Sequence, residues 1–192
     1  MAKRKWVELD LAALPNCRFI ACDPSLAATG LVFIEVHDGE VYVVGSETIG
    51  APKTELVGWE DTFLRAHQLK TAMRAVMEAW VHDYGVSVGV HEAPPVGGSN
   101  MMRTESTILA GYDFEQIAEE LGMDTAPLVT PNAHKFLLCG NGRATKKEHH
   151  EKIKELLPSI FDGKLVTNEG QRDALSVALY AAHRLGEQRN GS

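Results

Sequence analysis

The 192-residue chain is 44% apolar and 23% charged, ordinary proportions for a globular protein and far from the disordered and membrane-embedded classes. At this length a domain buries roughly 70% of its unfolded surface, so the core needs neither a disulfide framework nor a structural metal. The formal charge of -7 argues against a protein that simply coats nucleic acid, because phosphate neutralisation requires clustered cations.

No apolar run approaches the roughly 20 residues of a membrane span. The opening MAKRKWVELD is basic but lacks the apolar centre of a signal peptide. Cys17, Cys22 and Cys139 are odd in number and outside the paired spacings of zinc sites, which predicts reduced thiols. A single cytoplasmic domain over residues 1–192 is expected, with its core from about residue 17 to 185 and loose ends at 1–14 and 187–192.

CRFIACD, residues 17–23, carries too many apolar side chains for a one-sided strand and is expected as a central strand ending at Asp23. LVFIEVHDGEVYVVGSET continues as two β-rich runs around Asp38-Gly39, a strong hairpin signal. From Glu60 to about Asp83, Ala66, Leu69, Met73, Val76 and Trp80 recur at helical spacing. VSVGVHE, residues 86–92, is an apolar strand returning parallel to the first, and the prolines and glycines of APPVGGSN make a loop.

A helix from about Thr104 to Leu121 precedes a short strand, TAPLV, after which Thr130 is the N-cap and Pro131 the first residue of the next helix. GNGRATKKEHHEKIKELL is a glycine-rich turn and then a basic helix capped by Thr145 or a neighbour. TNEGQRDALSVALYAAHRL opens with Asn168 and Gln171 at capping-box spacing and runs as a small-residue helix to about Leu185. The expected fold is α/β, a five-stranded mixed sheet of three antiparallel and two parallel strands flanked by helices.

Three acids stand out. The face of the first strand bearing Phe19 and Ala21 also bears Asp23, and the face of the fourth bearing Val86, Val88 and Val90 also bears Glu92. If those strands are adjacent and parallel, both acids meet at the carboxyl edge of the sheet, where open α/β sheets bind ligands. On the last helix Asp173 lies one turn before Val177 on the stripe of Ala174, Val177, Ala178 and Ala181. Taken singly, each acid also has an ordinary reading: Asp23 before Pro24 as a turn former, Glu92 before the proline-rich loop as a surface ion-pair member, and Asp173 as a first-turn helix acid.

Together, three such carboxylates repel one another unless protons or a cation neutralise them, and a divalent metal does so economically. Oxygen ligands without accompanying Cys or His point to Mg²⁺ or Mn²⁺. Two such ions about 4 Å apart activate water and stabilise the leaving oxygen of a phosphodiester. Glu169, four residues before Asp173, is either a fourth ligand or an ordinary first-turn acid.

Between Lys135 and Lys154 six cations face two anions, a local balance of +4. This is either a solvated helix face or a phosphate-binding segment. His149 and His150 beside the lysines read as part of that solvated face, ahead of a phosphate contact, and Arg103 as a helix start or a DNA contact.

The pattern resembles the RuvC-like Holliday-junction resolvases of the ribonuclease H-like superfamily over about residues 17 to 185. CDPSLAATG is similar to their first-strand acid with its Thr-Gly continuation, VHEAP to the strand-four glutamate, RDALSVALYAAH to the final helix, and GNGRATKKEH to a segment carrying a DNA-contacting lysine. The resemblance implies a homodimer that binds four-way or branched DNA and makes paired, metal-dependent nicks. Asp23, Glu92 and Asp173 would then be metal ligands for two ions, with Glu169 a candidate fourth, and Lys146, Lys147, Arg143 and Arg103 would contact DNA.

Two positions depart from the family pattern. Three residues before the last aspartate, where an Asp or His is common, stands Gly170, and no aromatic follows Glu92 in Ala93-Pro94-Pro95-Val96. A non-catalytic branched-DNA scaffold is therefore a competing expectation. An actin-like nucleotide-binding kinase or ATPase shares the acid-small-Thr-Gly opening but requires two such domains and a second phosphate loop.

Overall fold

The computed structural model describes residues 9–85, 87–94 and 101–190, the side chains of 101–103 and 190 excepted. β1 (Cys17–Asp23), β2 (Thr29–His37) and β3 (Glu40–Ile49) form an antiparallel meander. Asp38 and Gly39 take positive φ of 51° and 79° at its second turn, the left-handed pair that matches hairpin twist. β4 (Val88–His91) runs parallel to β1, and β5 (Asp124–Thr125) parallel to β4, giving the order β3-β2-β1-β4-β5. The expected five-stranded mixed sheet is the one observed.

Side chains alternate across this sheet and build two cores. Ile20, Cys22, Leu31 and Phe33 face α1 (Trp59–Tyr84) and α2 (Met101–Glu120). Phe19, Ala21, Val32, Ile34 and Val90 face α3 (Pro131–Cys139), α4 (Lys146–Leu156), α5 (Pro158–Asp162) and α6 (Glu169–Asn190). The acids at the ends of β1 and β4 continue the second of these faces. Ala174, Ala178 and Ala182 are fully buried and bring α6 close across β1 and β2.

Capping chemistry sets the helix starts around the second core. Thr145 Oγ1 accepts from the Glu148 amide while the Glu148 carboxylate accepts from Thr145, a complete capping box. Asn168 and Gln171 cap α6 reciprocally: Oδ1 accepts from the Gln171 amide, and Gln171 Oε1 from the amides of Thr167 and Asn168. Thr130 occupies the N-cap of α3 without a side-chain hydrogen bond.

Some boundaries differ from expectation. The segment before β1 is not loose from residue 9 onward: Leu9 and Leu14 are buried, and Asp10 caps a 3-10 turn at Leu11–Ala13. Likewise α6 extends to Asn190. TAPLV is not a continuous strand, because Pro127 lacks a donor; Val129 pairs separately as an isolated bridge with Glu92. The loop at 95–100 lies outside the described residues. Among the described residues no helix is long and apolar enough to cross a membrane.

The tightest joint is between β2 and the start of α6. A Cβ on Gly30 would lie 2.2 Å from the backbone carbonyl of Gly170, so only glycine permits this approach. Gly30→Ala is expected to destabilise the protein by about 2–3 kcal/mol, read from urea midpoints, because backbone rather than a flexible side chain must move. An unchanged midpoint would contradict this joint.

Candidate metal centre

Parallel pairing sets the first two acids. Cys22 stands opposite His91, so Asp23 and Glu92 follow as neighbours, and the Glu92 amide donates to the Cys22 carbonyl at 2.9 Å. The chain leaves Asp23 through buried Pro24 and a turn closed by Thr29, whose Oγ1 accepts from the Ser25 amide and donates to its carbonyl. Ser25 Oγ accepts from the Ala27 amide at 3.3 Å and so serves as a turn hydroxyl. Burial and the neighbouring charges of Glu92 and Asp173 push the Asp23 carboxyl up to about 9, and burial pushes Glu92 up to about 7. The pair is electron-rich and, without a cation, holds a proton.

Asp173 reaches the same place from the first turns of α6, with its side chain only 10% exposed. Burial alone would raise its carboxyl, but His149 and His150 reverse this and hold it well below the ordinary carboxylate range. His150 Nε2 lies 3.1 Å from Asp173 Oδ1, and His149 Nδ1 3.4 Å from the same oxygen. Deeper still, His134 of α3 places Nε2 2.9 Å from Glu92 Oε1 and Nδ1 2.7 Å from Ser176 Oγ. Burial lowers His134 to about 4, so its ring is neutral at pH 7.

These histidines correct the expectation of a site without imidazoles. His149 is fully buried rather than part of a solvated face. The local signal was the spacing of His149, Ile153 and Leu157, all buried and four apart, which marks the inward stripe of α4. His134 likewise shares the inner face of α3 with Leu137 and Leu138.

Cations lie above the acids. Lys146 pairs with Glu169 and stands 3.8 Å from Asp173 Oδ2. Glu169 is itself exposed and turned to that lysine, so its place is at the rim rather than among the buried carboxylates. Lys147 is exposed and 3.9 Å from Glu151, and Arg143 is exposed on the glycine-rich turn. Arg103 belongs to α2, with its side chain outside the described residues. An open groove of ≈ 500 Å³ runs from His150 past Lys147, Lys154, Lys164 and Arg172. Lys164 and Arg172 were not singled out from sequence, because neither belongs to the 135–154 cation run.

The residues present suit a divalent ion. Asp23, Glu92 and Asp173 lie near enough to act on one another's charge, and the first two hold their protons above the ordinary range. Among the described residues the ligand atoms that come within 4.8 Å of one another are those of His149, His150 and Asp173, with buried His149 Nδ1 making no hydrogen bond. Asp23, Glu92 and Asp173 supply the hard donors, with imidazole nitrogen beside the last of them.

A β3-β2-β1-β4-β5 sheet with helices on both faces and acids at the ends of its two central parallel strands defines a ribonuclease H-like fold. Within that class the chain has the fold of the RuvC-like resolvases. It is similar to RuvC of Thermus thermophilus, with a TM-score of 0.66 at 18% identity over 91% of this chain and 96% of that one. The same protein in complex with Holliday junction substrate matches at a TM-score of 0.65 and 16% identity, with the same coverage. The yeast mitochondrial Holliday junction resolvase Ydc2 matches at 0.57 and 14%, over 92% of this chain and 80% of its own. No protein-family model matches the sequence, and no curated protein matches it.

The charge balance makes stability depend on pH in the absence of metal. Asp23 binds its proton more tightly folded, at about 9 against an ordinary 3.8, so its contribution is present at low pH and is lost as pH rises through that window. His134 works oppositely, at about 4 against 6.5, so stability falls as pH drops from 6.5 to 4. Between pH 6.5 and 9 the acid pair dominates, and the thermal midpoint of metal-free protein is expected to fall. Asp23→Asn flattens that fall in calorimetry; a wild-type midpoint that rises over the same range would contradict the assignment.

Proposed function

We propose that this chain is a divalent-metal-dependent endonuclease that cuts four-way or otherwise branched DNA by phosphodiester hydrolysis, acting as a homodimer. The convergence of Asp23, Glu92 and Asp173 from three separate elements onto one sheet edge carries the reading. The likeness to Holliday-junction resolvases in fold supports the choice of substrate.

Bound divalent ions supply an activated water and stabilise charge on the phosphate oxygens. Asp23 and Glu92 hold the cation side of that arrangement at the ends of rigid strands, and Asp173 closes it from α6. His134, hydrogen-bonded to Glu92 and Ser176, fixes the orientation of the glutamate. Lys146, held over Asp173, meets the phosphate as its counter-charge. Lys147, Lys154, Lys164 and Arg172 give the DNA backbone a cationic track leading from the site, which reconciles DNA binding with the net charge of -7.

A synthetic four-way junction with Mg²⁺ or Mn²⁺ tests this directly. Wild-type protein is expected to nick it, Asp23→Asn, Glu92→Gln and Asp173→Asn to lose roughly 10³-fold in rate, and Lys146→Ala about 10²-fold. Undiminished nicking by Asp23→Asn would overturn the mechanism, whereas tight binding without nicking by wild type would favour the scaffold reading that Gly170 keeps open. Lys164→Ala is expected to weaken binding across all DNA sequences and lower the log-log salt slope by about 1, measured by fluorescence anisotropy.

A further inference from the structure

The missing ligand position has a structural explanation and a replacement. A Cβ on Gly170 would meet the Gly30 amide nitrogen at 3.3 Å and the Ala28 carbonyl at 3.4 Å, so a side chain there starts against the backbone of β2. Opposite it, α4 presents two nitrogens to Asp173. His150 Nε2 and His149 Nδ1 lie 3.1 Å and 3.4 Å from Asp173 Oδ1, and all three ligand atoms lie within 4.8 Å of one another. Two ligands each about 2.1 Å from one ion stand roughly 3.0–3.4 Å apart in octahedral or tetrahedral coordination, a range that holds both histidine-to-Asp173 distances.

The second observation is that His149 Nδ1 is buried and makes no hydrogen bond, although its ring is fully enclosed. A buried nitrogen of this kind normally has a partner. The opposite edge of the ring is supported: Nε2 lies 3.3 Å from His134 Nδ1, and His134 in turn reaches Glu92. Metal-ligating histidines are commonly braced in this way through their second nitrogen. The capping box that starts α4 at Lys146 and the Lys146–Glu169 pair hold both rings against α6.

We propose that His149 and His150, with Asp173, form a mixed nitrogen-oxygen metal site that replaces the ligand absent at Gly170 and selects Mn²⁺ or another first-row transition ion over Mg²⁺. Imidazole nitrogen suits transition ions, whereas Mg²⁺ takes oxygen. The inference rests on the metal-dependent reading above, but concerns which ion the site retains rather than whether DNA is cut.

The test is metal binding, without DNA. Electron spin-echo modulation of Mn²⁺ on the wild-type protein is expected to show nitrogen coupling that is diminished in His150→Ala. In competition titrations His150→Ala is expected to weaken Mn²⁺ about tenfold or more while leaving Mg²⁺ within about threefold. Asp23→Asn, in contrast, weakens both ions. His150 is partly exposed, and circular dichroism establishes that its variant folds; the wild-type spectrum decides the question independently of any variant. Metal binding that depends on Asp23 but shows no nitrogen coupling, or equal losses of Mn²⁺ and Mg²⁺ in His150→Ala, overturns the nitrogen site and leaves the nuclease reading standing. No binding of either ion by the wild type overturns both.

Discussion

The parallel register of β1 and β4 is the constraint on which the site depends. With Cys22 opposite His91, the next residue on each strand is an acid, and the two carboxylates are forced together at the sheet edge. Burial holds both carboxyls above the ordinary range, and at Asp23 the neighbouring charges of Glu92 and Asp173 add to it. The ends of the central strands thus carry two partly enclosed acids whose ionisation is costly. A slip of one residue in that register would turn one acid to the opposite face and abolish the site.

α6 and α4 complete this arrangement from the other side of the second core. The glycine-to-glycine joint lets α6 descend onto β2, which brings Asp173 toward the strand acids. α4 then places Lys146 above and two histidines beside the same carboxylate. Structure and electrostatics are therefore coupled: the same close packing that buries Ala174 and Ala178 also brings the Asp173 charge to the strand acids. A groove lined by Lys147, Lys154, Lys164 and Arg172 leads from His150, a local concentration of cations on a chain of net charge -7.

Much of the fold was legible because its signals are local. The Asp38-Gly39 hairpin, the Thr145 and Asn168 caps, and the alternation that puts Phe19, Ala21 and Asp23 on one face all follow from neighbouring residues. That β4 runs parallel to β1 was expected, whereas their adjacency entered only as a condition, which the pairing of Cys22 with His91 meets. What was not legible depends on contacts distant in sequence. His149 sits among lysines and glutamates, and only the packing of α4 against α6 makes it a buried neighbour of Asp173. His134 reaches Glu92 across 42 positions. The strand expected at TAPLV shortened because Pro127 breaks the donor pattern, while the single bridge at Val129 keeps its direction. The ordered segment before β1 was hidden because Leu9 and Leu14 show no period of their own.

The central claim is that Asp23, Glu92 and Asp173 enclose one divalent-cation centre. Crystals grown with Mn²⁺ and measured at the manganese absorption edge test it most directly. The account predicts an anomalous peak bounded by those three carboxylates, and its loss in Asp23→Asn. Manganese bound only elsewhere on the protein, away from those three carboxylates, would contradict it.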